Sequence, residues 1–230
     1  MIDKIINDFN KAIIVDDRYK FILEGVKNTI LISLISIIIG VLIGTIIAIV
    51  KAYNKETKKV NVLAKICEFY VGIIRGTPAL LQLMIMYYVV FREVRNVNLI
   101  IVASLAFGIN SGAYVSEIIR AGIESIDRGQ MEAGRSLGLS YFKTLKLIIL
   151  PQAIKNILPA IGNEFITLIK ETSVAGYIGV RDLTKAADII ASRTYNYFFP
   201  LVVAALMYLI IIIVLTKLLN MFETRLKKNA

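Results

Sequence analysis

The chain alternates between long apolar runs and short charged segments, and the runs have the length of membrane crossings. Between Lys27 and Lys51 there is no charged residue for 23 positions. At about 1.5 Å rise per residue, a helix of that length crosses a hydrocarbon core about 30 Å thick with some tilt. Residues 66–91 are again mostly apolar but contain Glu68, Arg75, Gly76, Thr77 and Pro78. Pro78 removes a backbone donor and disfavours helix at Thr77, which predicts one long, locally broken span. A third span is predicted over 98–119, a fourth over 147–169 and a fifth over 199–216. The pattern predicts an all-α integral membrane protein with five transmembrane helices.

Composition supports this reading. Hydrophobic residues make up 57% of the 230 positions, charged residues only 19%, and the mean hydropathy is +0.71. The net charge of +10 would suggest nucleic acid on a soluble chain. Here the basic residues fall mainly between apolar runs, where they set topology, so no nucleic-acid partner is expected. The connector 51–65, the segment 120–146 and the tail 217–230 carry five, five and four basic residues; the opposite connectors, 92–97 and 170–198, carry two and four. The positive-inside rule then places the N-terminus outside and the C-terminus in the cytoplasm. The expected division is an N-terminal segment 1–27, a transmembrane domain 28–216 with a cytoplasmic loop 120–146, and a cytoplasmic tail 217–230. Residues 1–27 balance five basic against five acidic residues and do not read as a secretory signal. Ile5, Ile6, Phe9, Ile13 and Ile14 suggest either a short amphipathic surface helix or a partly ordered tail. Gly40 and Gly44 form a GxxxG pair, which either admits a neighbouring helix closely or reflects the ordinary glycine content of a membrane helix.

Several chemistries are excluded by what is missing. There is no histidine, and Cys67 is the one cysteine. Ser-His and Cys-His dyads, an HExxH zinc site, an intrachain disulfide and a thiolate metal cage are therefore impossible, and no metal site is expected. The nearest string to a phosphate-binding loop, Gly138 to Thr144, lacks the second glycine. No nucleotide-binding motif and no cofactor are expected on this chain.

Residues 127–151 carry helix signals. Asp127 and Gln130 fit a capping box, residues 130–137 a short helix, Gly138 its stop and Ser140 the cap of a second helix. The cytoplasmic loop is thus expected to be a helix-turn-helix, with Ala133, Gly134 and Gly138 allowing close docking and Glu132 offering a charge beside Arg128 and Arg135. A solvated connector is the alternative.

Glu132-Ala133-Gly134, then Gly138, then Ile148-x-Leu150-Pro151 resembles the EAA signature of ABC-importer membrane subunits, with Gly134 where the general signature has a second alanine. Arg75–Leu83, Ser111–Glu117, Leu150–Ala153, Gly162–Phe165 and Lys170–Ser173 are similar to the polar amino-acid permease branch, for histidine, arginine, glutamine, glutamate and opine uptake. These segments are spread, in order, along residues 70–180. The resemblance implies a multi-pass permease of a prokaryotic cytoplasmic (inner) membrane. It also implies a separate ABC ATPase subunit that binds ATP and Mg, an extracytoplasmic amino-acid-binding protein and a second permease subunit, a homodimer being favoured. In that family the loop seats in the ATPase, which assigns coupling to Glu132, Ala133, Gly134, Ser136, Leu137 and Gly138.

A free amino acid crossing hydrocarbon needs partners for its ammonium and its carboxylate. Candidate partners are Glu164 and Asn163 on span four, Arg75, Thr77 and Gln82 at the break in span two, and Asn110, Ser111 and Tyr114 on span three. A broken helix offers backbone N–H groups for a carboxylate, and Glu164 suits an ammonium or guanidinium. That favours arginine, lysine or histidine as substrate; glutamine, glutamate or another small solute such as methionine is the alternative. Glu164 pairing with Lys155 or Lys170, and Glu117 pairing with Arg120, are structural readings of the same acids. A channel would need a repeated pore-lining ring, an intramembrane enzyme paired acids in facing spans, and neither pattern is visible.

Overall fold

The computed structural model describes residues 2–57 and 62–228. Lys58 and Lys59 of the basic connector lie outside the described residues. All regular elements among the described residues are helical: α1 (Ile2–Phe9), α2 (Tyr19–Thr57), α3 (Val62–Gly76), α4 (Ala79–Ile85), α5 (Leu99–Glu124), α6 (Arg128–Ser136), α7 (Tyr141–Thr144), α8 (Leu150–Glu171), α9 (Leu183–Thr194) and α10 (Phe198–Lys228). Among the described residues four helical stretches are long and apolar enough to cross a membrane, and there are five if the bent pair of α3 and α4 is one span. The bend falls at Thr77-Pro78, where the proline forbids a continuous helix. Exposed apolar side chains form long stripes on these helices. On α2 these are Ile38, Leu42, Ile46 and Ile49, each at least 60% exposed and spaced three or four apart. A water-soluble protein does not carry so long an apolar stripe uncovered.

The chain divides into two compact units. One comprises Met1–Ser36, Ala79–Phe107 and Ile166–Leu215; the other comprises Ile37–Pro78, Gly108–Phe165 and Thr216–Ala230.

In the first unit the organising element is α9. Its Leu183, Ala186, Ala187 and Ile190 recur at helical spacing and are buried with Ile22 of α2 and Ala204 of α10. Residues 170–198 were expected as a polar connection. They instead form a 3-10 turn, Thr172–Ile178, followed by this packed helix. The correction has a physical cause: the buried face of α9 is built largely from alanine, which contributes little hydropathy but allows close packing. The start of α2 holds the loop before α9 in place. Asn28 Nδ2 donates to the Arg181 carbonyl at 2.8 Å, Thr29 Oγ1 accepts from the Leu183 N–H at 3.2 Å, and Arg181 pairs with Glu24 at 2.7 Å. A Cβ on Gly25 would sit 2.8 Å from Leu183 Cα, so α2 lies against this loop backbone to backbone. Asp182, fully buried, caps α9 by accepting from the Thr184 and Lys185 N–H groups at 2.8 and 3.4 Å. The N-terminal segment is helical over α1, and Phe9 meets Phe199 edge to face at 5.9 Å. Its expected apolar face is split, since Ile13 is buried while Ile6 and Ile14 are exposed.

The second unit is built on a close pairing of α2 and α5. A Cβ on Gly40 would lie 2.7 Å from Ser111 Oγ, and one on Gly44 would lie 2.7 Å from Val115. The relation is reciprocal: Gly108 and Gly112 of α5 receive Ile39 and Ile43 of α2 at the same 2.7 Å. The paired positions advance together along both helices, so the two run parallel. Of the two readings of the GxxxG pair, close approach is the observed one. The third wall is α3, whose Cys67 and Val71 pack with Ile47 and Ala113, while the Tyr70 hydroxyl donates to the Ile109 carbonyl.

Two outcomes are expected. Replacing Gly44 with valine forces α2 and α5 apart and costs about 1–3 kcal/mol, as overpacking generally does. Gly72→Ala adds a Cβ that meets nothing within 4 Å and leaves the unfolding midpoint level or higher. Thermal unfolding in detergent reads both, and equal midpoints would remove the glycines from this role. The second outcome concerns pH. Burial pushes the Asp182 carboxyl up from 3.8 to about 6, against the lowering effect of the capping N–H groups. The folded state therefore holds a proton that the unfolded chain has lost, and the associated stability is full below about pH 4 and gone above about pH 6. Asp182→Asn keeps the capping oxygen and cannot ionise. Its midpoint relative to the parent should rise between pH 4 and pH 7, by the equivalent of on the order of 2–3 kcal/mol; a pH-independent difference would refute the assignment.

Candidate substrate and coupling sites

Seven of the eight candidate substrate residues, all except Gln82, belong to the second unit. Gln82 lies in the first, half-buried on α4. The second unit brings one pair into direct contact: Ser111 Oγ donates to Glu164 Oε1 at 2.8 Å, joining α5 to α8. Ser111 and Asn110 are buried, Glu164 and Tyr114 half-buried, and Asn163 is exposed. Ser111 stands at Gly40, so the glycine contact between α2 and α5 also fixes the hydroxyl that holds Glu164. Within its unit Glu164 makes no ion pair among the described residues, and Lys155 does not reach it. A carboxylate has about four lone-pair positions, so a single serine leaves acceptor capacity for an ammonium or guanidinium.

Arg75 and Thr77 are arranged differently from the expected pocket. Arg75 Nη1 lies 3.8 Å from Glu117 Oε2, and its guanidinium carbon sits 5.6 Å from the centre of the Tyr114 ring. Thr77 Oγ1 donates to the Ile73 carbonyl at 2.8 Å, closing the last turn of α3. Glu117 is the hub of a charged network: Lys51 reaches it at 2.9 Å and Arg120 at 2.9 Å, while Arg120 also pairs with Glu124 and Lys55 lies 3.3 Å from Glu124. Sequence reasoning found the Glu117–Arg120 spacing but missed Lys51, which sits 66 positions away. Its one signal was position, as the charge that ends the apolar run of α2.

The candidate coupling segment is a helical hairpin. Asp127 caps α6 by accepting from the Gly129 N–H at 2.7 Å. The far end is a Schellman closure: Gly138 has φ +80, its N–H bonds the Arg135 carbonyl at 3.0 Å, and the Leu139 N–H bonds the Gly134 carbonyl at 3.2 Å. Ser140 then caps α7. Gly134 is buried against Thr144 with no room for a Cβ, which accounts for glycine where the general signature has alanine. The outer face presents Glu132, Ala133, Ser136 and Leu137, all exposed, Leu137 by 81%. Among the described residues Glu132 makes no ion pair with Arg128 or Arg135.

Comparison with known proteins gives consistent relatives. Residues 37–228 match the family model described as binding-protein-dependent transport system inner membrane component. The arginine transport system permease protein ArtQ of Bacillus subtilis is 42% identical over 96% of this chain and 98% of its own. A Rickettsia typhi protein, provisionally named glutamine transport system permease protein GlnP, is 42% identical over 91% of this chain and 94% of its own. A crystal structure of an amino acid ABC transporter with histidines superposes with a TM-score of 0.83 at 41% identity, covering 90% of this chain and 94% of that one. A match over most of the chain in both sequence and fold leaves one assignment: the chain belongs to the family of binding-protein-dependent transport system inner membrane components, in its amino-acid ABC permease branch.

Proposed function

We propose that this chain is the membrane-spanning permease subunit of an ATP-driven importer for polar amino acids, with the cationic ones (arginine, lysine and histidine) as its substrates. The observation that carries the proposal is Glu164, a half-buried carboxylate on a membrane helix, held by Ser111 and without an ion pair among the described residues of its own unit. Ionisable groups at such depth are costly and are usually functional. Glu164 binds the ammonium or guanidinium; Asn163, Asn110, Ser111, Tyr114 and Thr77 supply polar partners. Arg75 completes the set by releasing Glu117 to meet the substrate carboxylate. The similarity to ArtQ and to the transporter solved with histidines supports a cationic substrate. The similarity to proteins named for glutamine supports glutamine as the second reading.

The N-terminus is outside and the C-terminus in the cytoplasm of a prokaryotic inner membrane. The chain works as a pair, a homodimer in this reading, with an ATPase subunit and an extracytoplasmic binding protein. It holds no cofactor; ATP and Mg bind the ATPase. The α6–α7 hairpin docks there through the exposed Glu132, Ala133, Ser136, Leu137 and Gly138, while Gly134 acts from inside by seating α6 against Thr144. ATP binding reorients the pocket only as far as it favours one arrangement of the permease pair over the other, and a rigid, double-capped hairpin passes that preference on.

Thermal stabilisation of the purified transporter across the twenty amino acids tests the substrate. Arginine, lysine or histidine should raise the midpoint, and Glu164→Gln should abolish the rise. Stabilisation by glutamine that persists in Glu164→Gln would move the assignment to the second reading and leave Glu164 structural. Coupling is tested by Glu132→Lys and Gly138→Pro. Both should insert normally and lose substrate-stimulated ATP hydrolysis at least about tenfold, a loss of about 1.4 kcal/mol in coupling. Normal stimulation in both variants would exclude the hairpin as the docking element.

A further inference from the structure

The second unit contains a cleft of about 450 Å3, within the usual range of about 300–1,000 Å3 for small-molecule sites. It opens where α2 and α5 meet the start of α8, and none of the candidate substrate or coupling residues lines it. Its walls include Ile49, Ile119, Ile123, Phe142 and Leu145, and its charged wall residue is Lys146. Ile49 is 63% and Phe142 46% exposed, so the apolar wall is open rather than sealed by the chain itself.

The position of the cleft along the membrane is fixed by the sequence. The uncharged run of α2 ends at Lys51, so the stretch from Thr45 to Ala52 is where hydrocarbon gives way to headgroups. Tyr53 stacks on Phe142 at 5.9 Å at this level, as aromatic side chains do at an interface. Beside the cleft, and sharing Ala48, Ala52 and Ile123 with it, is a smaller pocket lined by Lys51, Lys55, Arg120, Glu124 and Tyr141. There the cations are answered by Glu117 and Glu124. Lys146 is different: it is exposed at the mouth of an apolar cleft and has no ion pair or hydrogen bond among the described residues.

We propose that this cleft is a binding site for an anionic phospholipid of the leaflet that borders the α6–α7 hairpin. One acyl chain lies along Ile49, Ile123 and Phe142, and the headgroup phosphate pairs with Lys146. Charge complementarity selects this occupant. An apolar helix from a second copy would cover the wall but leave Lys146 uncompensated, whereas basic pockets between membrane helices attract anionic headgroups. The inference rests on the membrane embedding of the chain and is independent of its substrate.

The full-length chain, reconstituted with the subunits that copurify with it, is placed in phosphatidylcholine nanodiscs containing a phosphatidylglycerol probe with a photoactivatable acyl chain. Illumination should label peptides spanning 45–52 and 142–150 well above the level on α10. Unlabelled phosphatidylglycerol should compete and phosphatidylcholine should not. Lys146→Gln should lower labelling of these two peptides about fivefold, as expected for one lysine near an anionic headgroup. Ile49→Trp, which fills an exposed wall and should leave folding intact, should lower it as well. Labelling no higher than on α10, equal competition by phosphatidylcholine, or labelling unchanged in both variants would overturn the proposal; the first of these results would assign the cleft to a protein partner.

Discussion

Helix association inside a bilayer gains little from the hydrophobic effect, because lipid tails are as apolar as leucine; it depends on how closely backbones approach. In this chain that distance is set by four glycines, Gly40 and Gly44 on α2 and Gly108 and Gly112 on α5, each filled by a side chain from the opposite helix. The contact fixes more than spacing. It forces a parallel register, which brings Lys51 to Glu117 and Lys55 to Glu124 further along the same pair. It also sets the buried Ser111 on the face from which it reaches Glu164. A larger residue at any of the four positions would disturb the charged network and the candidate pocket together. The geometry of the site is therefore inherited from packing.

The hairpin shows the same economy by another route. Nothing in it depends on a large core. Asp127 and Ser140 satisfy the starts of α6 and α7, the left-handed Gly138 satisfies the end of α6, and Gly134 lets α6 lie against Thr144. Local hydrogen bonds make the segment stiff, and leaving Leu137 exposed makes it adhesive. A partner can then push on a rigid body whose far end runs into α8 through a π turn, Leu145–Ile149.

What could be read from the sequence follows from which interactions are local. The spans were legible because an uncharged run of 23 residues has few other uses, and the hairpin was legible because caps act within four residues. The break at Thr77-Pro78 was legible for the same reason. The helix α9 was not: Lys185, Asp188 and Arg193 interrupt it, and its buried face is chiefly alanine, so it reads as a polar connection. Asp182 gave no sign that its carboxylate would be buried. The residue types of the candidate pocket were legible, but their partners were not. Ser111 meets Glu164 across 53 positions and Arg75 approaches Glu117 across 42, and no local pattern encodes either pairing.

Two acids in the second unit carry opposite electrostatic assignments, and the contrast separates structure from function. Glu117 has three cations within 4 Å, Lys51, Arg75 and Arg120, so its charge is compensated by the fold. Removing it would strand those cations, a loss of stability first and of transport second. Glu164 is held by a serine and forms no ion pair among the described residues of its unit. A group left so in a membrane protein is costly, and under the proposed function a cationic substrate would offset that cost on binding. Arg75 belongs to both descriptions. At 3.8 Å from Glu117 and 5.6 Å from the Tyr114 ring it is held loosely, at the end of a helix that stops one residue later. An arginine held that way can exchange one carboxylate for another at small cost, which is the behaviour the proposed pocket asks of it.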